Sequence, residues 1–390
     1  MLKITDNVAS LESPIRDVVL KAAELEKKGR KIIYLNIGDP ALYDFDMPQQ
    51  AKEAGARAMM DKKPIYPTSE GIIELRSAIA KRENSVAENV QVTNGISEGM
   101  IFLFSCLLNT GENILMPSPS YSQYVGMSKL WRGEDNYYSC DEQAGWIPDM
   151  DDVRKKVNKK TKAILLINPN NPTGAVYPRN IVKEFCDIAA ENKLPLISDE
   201  IYEKIVYEGK FVSPKEFAKN GEFPLIVTNG FSKTYASPGM RVGYFVFYPG
   251  TEVLRDGVAK LLRLRLSMNI YAQYAALAEL EGPQNHIPGM ISKLKKRGEF
   301  VARRLNEIPG LSCVPPKGAF YVFPKISSNK WKNDRDFVYE LLEQKGVLTV
   351  FGSGFSPVLK EKYFRIVYLA QEEILEKAMN GIEEFVRNKK

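Results

Sequence analysis

The 390-residue sequence has little of what metal centres and disulfide-rich folds are made from. It contains one histidine, His286, and four cysteines that stand far apart without a Cys-x-x-Cys pair. A His/Cys metal cluster is therefore excluded, and we expect buried free thiols in a reducing compartment. The four cysteines are Cys106, Cys140, Cys186 and Cys313.

Long apolar runs are missing as well. The longest, residues 100–108, is far shorter than the about 20 residues of a membrane-spanning helix. Charged side chains also interrupt residues 1–20, where a signal peptide would need an apolar core. We therefore expect a cytosolic protein with no membrane partner.

Two nucleotide-binding motifs are absent too. The chain has no GxxxxGK[ST] segment and no GxGxxG after a predicted strand, which disfavours a nucleotide-binding enzyme. The net charge of +6 is mild for this length. The basic runs 154–160 and 293–297 alternate with apolar residues at helical spacing, so we predict solvated helix faces and no nucleic-acid partner.

The sequence does contain the composition of an ordinary globular protein, with 44% hydrophobic and 26% charged residues. From about residue 70 to 285, short β-rich runs alternate with helical stretches, which predicts an α/β fold with a mainly parallel sheet covered by helices. The predicted strands are Val90–Thr93, Asn113–Met116, Ala163–Ile167, Pro195–Ser198, Leu225–Thr228 and Val242–Phe247.

The two chain ends have a different pattern. A helix is predicted over Pro14–Lys28 and a strand over Ile32–Ile37, and a long basic helix over Ile291–Ile308 opens a C-terminal α+β region. We predict a large domain over residues 45–286. A smaller domain would combine residues 1–44 with residues 287–390.

Polar and reactive residues follow several predicted strands, where an open α/β sheet binds its ligand. They are Asn171 in Asn168-Pro-Asn-Asn-Pro-Thr-Gly174, Asp199 and Tyr202 in Ser198-Asp-Glu-Ile-Tyr202, the pair Ser232-Lys233, and Arg241 in Gly239-Met-Arg-Val-Gly243. Each signal alone is weak. A Ser-Lys pair is usually solvated, Asn-Pro-Thr-Gly is ordinary turn chemistry, and Asp199 could simply cap a helix.

Together, the order and spacing of these segments resemble the fold-type-I, class I aminotransferases, with arginine eight residues after the lysine. The resemblance covers essentially the whole chain and includes Asn36-Ile-Gly-Asp-Pro40, Tyr66 with Gly71-Ile-Ile-Glu-Leu-Arg76, and Phe364-Arg-Ile366. Several segments look closest to the alanine-type branch. The resemblance implies pyridoxal 5′-phosphate as cofactor and a large cofactor-binding domain beside a smaller α+β domain.

The same resemblance implies roles for the residues. Lys233 would hold the cofactor aldehyde as a Schiff base and shuttle a proton, and Asp199 would pair with the pyridine nitrogen. Tyr202 and Asn171 would bind the phenolic oxygen, while Tyr121 would stack on the ring.

The cofactor phosphate would lie at the helix start formed by Gly95, Ile96 and Ser97, with Arg241 as its cation. Ser232 is a further candidate, although Gly230 stands where some relatives carry a phosphate-binding serine. Tyr66 would reach the phosphate of a neighbouring subunit, which implies a homodimer with shared active sites.

For the substrate, Arg365 would bind the α-carboxylate, helped by Asn171 and the Gly38 backbone. Arg263 and Arg265 lie near where some relatives place a distal cation, but we favour a solvated or structural role for both. The resemblance implies transamination with the glutamate/2-oxoglutarate pair. Alanine is the preferred second amino acid, ahead of aspartate or an aromatic amino acid.

Two other functions remain open from the sequence. A β- or γ-lyase, or a synthase acting on an activated methionine, would use the same lysine and aspartate. A ligand-sensing regulator built on this fold would carry an added DNA-binding domain, for which the first 30 residues are too few.

Overall fold

The computed structural model describes residues 2–61, 64–218 and 221–389. It has an eight-stranded sheet in its middle portion and several smaller sheets formed largely by its C-terminal portion. The helices are α1 Asp6–Ala9, α2 Pro14–Lys27, α3 Gln49–Asp61, α4 Ile73–Glu83, α5 Gly95–Leu107, α6 Ser122–Leu130, α7 Met150–Lys156, α8 Arg179–Asn192, α9 Glu252–Arg265, α10 Ile270–Glu281, α11 His286–Asn306, α12 Asp334–Lys345 and α13 Glu372–Asn388.

The large sheet has the strand order β2-β9-β8-β7-β6-β3-β4-β5. The pairs from β8 to β4 are parallel, whereas β9 and the edge strand β5 run antiparallel to their neighbours. Its strands are β2 Val90–Asn94, β3 Asn113–Ser118, β4 Tyr137–Asp141, β5 Ile147–Pro148, β6 Thr161–Ile167, β7 Leu196–Asp199, β8 Leu225–Gly230 and β9 Val242–Phe247.

The central strands are buried on both faces because helices cover the sheet on each side. Leu165 and Leu166 are adjacent in β6, yet both are fully buried and belong to different core clusters. Such near-continuous apolar runs are typical of parallel sheets. This explains why the six predicted strands lie within two residues of the observed ones, and confirms the α/β fold.

The smaller sheets bring the two ends of the chain together, since β1 pairs in parallel with β13. β11, β15 and β14 form an antiparallel sheet, and β10 pairs with β12. The strands are β1 Ile33–Tyr34, β10 Leu311–Ser312, β11 Tyr321–Val322, β12 Lys325–Ile326, β13 Val347–Leu348, β14 Val350–Phe351 and β15 Phe364–Val367. The domain boundaries at residues 44 and 286 stay a prediction.

Some local predictions were wrong. The long basic helix begins at His286, not Ile291, because a proline such as Pro288 is tolerated in the first turn of a helix. Arg297 is buried and bonds to the Leu369 carbonyl, so the run 293–297 is only partly solvated. Cys106 is half-buried, whereas the other three cysteines are buried, and all four are free.

Two features that the sequence lacks are also absent from the described residues. No helix within residues 2–61, 64–218 and 221–389 is long and apolar enough to cross a membrane. Over the same ranges, no group of three or more His, Cys, Asp or Glu side chains is placed to hold a metal ion.

Candidate active site

A cavity of about 490 Å³ opens beside the carboxyl ends of β6, β7 and β8. This is the edge of an open α/β sheet at which ligands bind. All of the predicted site residues except Tyr66 line the cavity, namely Gly38, Gly95, Ile96, Ser97, Tyr121, Asn171, Asp199, Tyr202, Ser232, Lys233, Arg241 and Arg365.

The Lys233 amine lies inside this cavity, three residues after the end of β8. Its Nζ donates a hydrogen bond to the Gly38 carbonyl at 2.6 Å and lies 5.7 Å from the centre of the Phe320 ring. The pKa of Lys233 is lowered to about 8, mainly by burial; the charges of Arg365 and Arg241 also lower it, whereas those of Asp39 and Asp199 raise it. A substantial neutral fraction is therefore present at mildly alkaline pH, as a nucleophilic lysine requires.

Asp199 is the last residue of β7 and is buried. One carboxylate oxygen accepts from the Tyr124 hydroxyl at 2.5 Å and the other from the Ile201 amide at 3.2 Å. Burial raises the pKa of Asp199 to about 6, against the lowering effect of these hydrogen bonds and of the Lys233 charge. A cation brought into the cavity would favour the ionised form of this carboxyl.

Aromatic side chains form much of the cavity wall. The hydroxyls of Tyr202 and Tyr321 are 2.7 Å apart, and their rings meet edge to face with centres 5.6 Å apart. The rings of Tyr121 and Tyr124 also meet edge to face, with centres 5.4 Å apart. These contacts fix the orientation of the rings, so the wall is formed before any ligand enters.

Arg365, in β15, is 1% exposed and has no acidic partner among the residues that the structure describes. Its Nη1 donates to the Asn171 Oδ1 at 3.0 Å and its Nη2 to the Asn36 carbonyl at 2.6 Å. Its Nε has no hydrogen-bond partner. A buried guanidinium in this state is suited to bind an anionic ligand.

The opposite end of the cavity combines a helix N-terminus with a cation. α5 begins at Gly95, and the first backbone N–H groups of a helix have no acceptor within it. A Cβ atom at Gly95 would lie 2.4 Å from Nη2 of Arg241, so only glycine lets this guanidinium lie across the helix start. Glu98 is directed away, because it accepts from the Asn94 amide at 2.8 Å and pairs with Arg265 at 3.3 Å.

Two hydroxyls and one glycine complete this end. Ser232 lines the cavity, while the Ser97 hydroxyl donates to the Gln123 side chain at 2.8 Å. A Cβ atom at Gly230 would lie 3.0 Å from the carbonyl oxygen of Val242. This close approach of two strands favours glycine at the position where some relatives carry serine.

Tyr66 lies outside the cavity of its own chain and is 81% exposed. Arg263 and Arg265 do not line the cavity either. Arg263 lies 3.6 Å from Glu70, and Arg265 donates to the Ser69 carbonyl at 2.9 Å. The structural role favoured for these two arginines agrees with these contacts.

Sequence reasoning missed several residues that line the cavity. Tyr124 stands three positions after Tyr121, so the spacing of neighbours on one helix face was a usable signal. Asp39 and Gln123 lie next to predicted segments, at Gly38 and Tyr121, whereas Arg16 and Tyr321 come from distant segments and carry no local signal.

These groups fit pyridoxal phosphate on their own chemistry. The cavity holds an amine of lowered pKa for an aldehyde, a buried carboxyl for a ring nitrogen, and aromatic walls for a flat ring. The close approach of Gly95 and Arg241 forms a cradle at a helix N-terminus, which suits a phosphate group.

Comparisons with known proteins agree with this chemistry. Residues 30–382 match the family model of the class I and II aminotransferases. The chain is 35% identical to the glutamate-pyruvate aminotransferase AlaA of Escherichia coli (strain K12), covering 95% of both chains, and 34% identical to a probable aspartate/prephenate aminotransferase of Aquifex aeolicus, also covering 95% of both. A solved alanine aminotransferase from Pyrococcus furiosus superimposes with a TM-score of 0.95 at 44% identity, covering 99% of this chain and 100% of that one. The chain therefore belongs to the class I and II aminotransferases and is a pyridoxal-phosphate-dependent enzyme.

Proposed function

We propose that this aminotransferase exchanges amino groups between L-alanine and 2-oxoglutarate, with Lys233 as its catalytic amine. One observation carries the proposal, namely that the Lys233 amine and the unpaired Arg365 guanidinium share one cavity. The names of the Escherichia coli and Pyrococcus furiosus relatives support alanine and glutamate as substrates.

The bound cofactor supplies the carbonyl that captures the amino group and the ring that accepts electrons. Lys233 Nζ would hold this carbonyl. In its neutral form, Nζ can also take the proton from the substrate Cα. Asp199 would hold a proton on the ring nitrogen, and the Tyr124 hydroxyl keeps that carboxylate in place.

Arg365 binds the substrate α-carboxylate through two parallel hydrogen bonds, while Asn171 and the Gly38 backbone limit where that carboxylate can lie. The fixed carboxylate orients the Cα–H bond toward Lys233. Tyr202 and Asn171 donate to the phenolic oxygen of the cofactor. Tyr121 covers one face of the ring.

The phosphate group would be held by Arg241, the Ser232 hydroxyl and the start of α5 at Gly95, Ile96 and Ser97. Oriented backbone N–H groups and a fixed cation can bind phosphate without changing shape, so they would anchor the cofactor independently of Lys233.

A second copy of the chain completes the site. Tyr66 is exposed, as are Met59, Met60 and Ile65, which are near it in the sequence, and exposed apolar side chains are suited to burial in a homodimer. In that dimer, Tyr66 reaches the phosphate bound by the partner subunit.

We place the enzyme in the cytosol and divide the chain into a domain of residues 45–286 and one that combines 1–44 with 287–390.

Arg16 suits the larger substrate. It lines the same cavity as Arg365, and no hydrogen bond or ion pair to its guanidinium occurs among the described residues. It can therefore receive the second carboxylate of glutamate, while alanine needs only Arg365. Aspartate remains the alternative donor, in line with the name of the Aquifex aeolicus relative.

The test is an absorption spectrum of the cofactor-loaded protein before and after each candidate amino acid. L-alanine and L-glutamate should convert the bound aldehyde to the amine form, with L-aspartate slower. Borohydride reduction followed by peptide mass spectrometry should place the cofactor on Lys233. Release of pyruvate and ammonia from cysteine-type substrates would instead support a lyase, and a label on another lysine would refute the assignment of Lys233.

A further inference from the structure

A carboxylate that the proposed mechanism does not use lies beside the catalytic amine. Asp39 follows Gly38, whose carbonyl accepts from Lys233 Nζ at 2.6 Å, and it lines the same cavity. Its own carboxylate accepts from the Ala41 amide at 3.0 Å and thereby caps a short 3₁₀ turn that begins at Pro40. The turn therefore holds a negative charge at a defined place in the cavity that contains the amine.

Several charged groups change the proton affinity of Lys233 through their charge. Burial is the largest influence and lowers the pKa of this lysine, and among the charges Asp39 has the largest effect, ahead of Asp199. The charged groups are Asp39, Asp199, Arg241 and Arg365, and other titratable groups lining the cavity are Arg16, Tyr121, Tyr124, Tyr202 and Tyr321. Arg241 and Arg365 oppose the effect of Asp39.

We propose that Asp39 is a positioning residue that sets the proton affinity of the free Lys233 amine, and thus the pH range in which the enzyme works. This inference rests on the proposed role of Lys233. Asp39 touches no reacting atom. It acts through the charge it presents to Nζ while the lysine is detached from the cofactor.

The sign of the effect follows from the charge. Removing the anion at position 39 lowers the pKa of Lys233 below its value of about 8, because the ammonium form then loses a stabilising negative charge. A larger share of the amine is then neutral near neutral pH. The acid limb of the rate profile should move to lower pH by about one unit, the size of effect that one nearby charge has.

Two substitutions separate this charge from the turn that it caps. Asp39→Asn keeps a side-chain oxygen for the Ala41 amide, since asparagine caps as well as aspartate, but removes the charge. Asp39→Glu keeps the charge but misplaces the capping oxygen. The exposed Asp46, which pairs with Lys52 outside the cavity, gives a matched control as Asp46→Asn.

The pH profile should be measured in two ways. One is the single-turnover rate with L-alanine, and the other, in cofactor-free protein, is the rate of Lys233 carbamylation by cyanate, quantified by mass spectrometry. Asp39→Asn should shift both profiles downward with an unchanged thermal midpoint, whereas Asp39→Glu and Asp46→Asn should keep the parent profile.

The inference is overturned if Asp39→Asn leaves the carbamylation profile in place, or if Asp39→Glu shifts it equally. The proposed function fails separately, through loss of the Lys233 label after borohydride reduction of the parent enzyme. The two failures are therefore distinguishable.

Discussion

Two groups of charged side chains in this molecule differ in how their charges are satisfied. In the buried ion cluster, formed by the fully buried Glu83 with the partly buried Arg82, Glu203 and Lys215, each charge has a partner of opposite sign. In the active-site cavity, Lys233, Arg241 and Arg365 bond only to carbonyl and amide oxygens among the described residues. Paired buried charges stabilise one arrangement of the chain, whereas unpaired ones keep their binding capacity for a ligand.

The contrast is sharpest between two adjacent residues. Asp199 and Glu200 are both buried, and both have a raised pKa, of about 6 and about 7. Burial is the main cause for each. Glu200 accepts from the Ser198 and Ser213 hydroxyls at 3.0 and 2.6 Å, away from the cavity, whereas Asp199 lines the cavity. Burial alone therefore does not identify the functional carboxyl.

Exchanging each of these two carboxyls for an amide should give the largest contrast in kcat. Asp199→Asn should lower kcat about 10²–10³-fold, because the variant can no longer hold a proton on the cofactor ring as charge develops. Glu200→Gln should keep nearly the parent kcat at mildly acidic pH, where its raised pKa already leaves Glu200 mostly protonated. Single-turnover kinetics with L-alanine checks both, and equal losses would contradict the contrast.

Breaking a pair in the buried ion cluster should affect stability and leave catalysis intact. Lys215→Met removes the Nζ that lies 2.5 Å from the fully buried Glu83 carboxylate, and should cost about 3 kcal/mol of unfolding free energy. Urea unfolding measures this cost, and kcat/KM for L-alanine should stay unchanged. A lower kcat/KM without a loss of stability would show that the cluster acts on the cavity.

The pH dependence of that cost has a defined sign. Burial opposes ionisation of Glu83, but the charges of Lys215 and Arg82 overcome it and lower its pKa. A carboxyl with a lowered pKa adds stability above its unfolded pKa of about 4.3, and loses it as pH falls through the folded value. The difference in unfolding free energy between the parent and Lys215→Met should thus be largest near neutral pH and become smaller in acid.

A smaller effect is expected from two buried arginines. Arg365→Lys should lower kcat/KM for L-alanine about 10–100-fold, since an ammonium cannot form both hydrogen bonds to a carboxylate. Arg297→Lys should lower the thermal midpoint and spare KM, because Arg297 bonds to the Leu369 carbonyl and to Asp44 outside the cavity. Steady-state kinetics and thermal unfolding should be measured for both variants. A raised KM in Arg297→Lys would contradict the assignment of Arg297 to a purely structural role.

Much of the fold and cavity could be predicted because the signals are local. The apolar runs at residues 163–167 and 242–247 are strands in the structure, since runs of this kind have few other ways to be buried. The strand-end motifs predicted the cavity because parallel strands bring their carboxyl ends to one edge of the sheet. The strand β4 and the edge strand β5 were missed, as their apolar pattern is short.

The sequence by itself determined the strands, the reactive residue types at their ends and the family to which they point, since each depends on neighbours along the chain. Only the tertiary structure decided that Arg365 meets Asn171 across 194 residues, that Tyr124 donates to Asp199, and which carboxyl of the Asp199–Glu200 pair faces the cavity. The physical reason is that charge and hydrogen bonding act through space, and the packing of distant elements sets those distances.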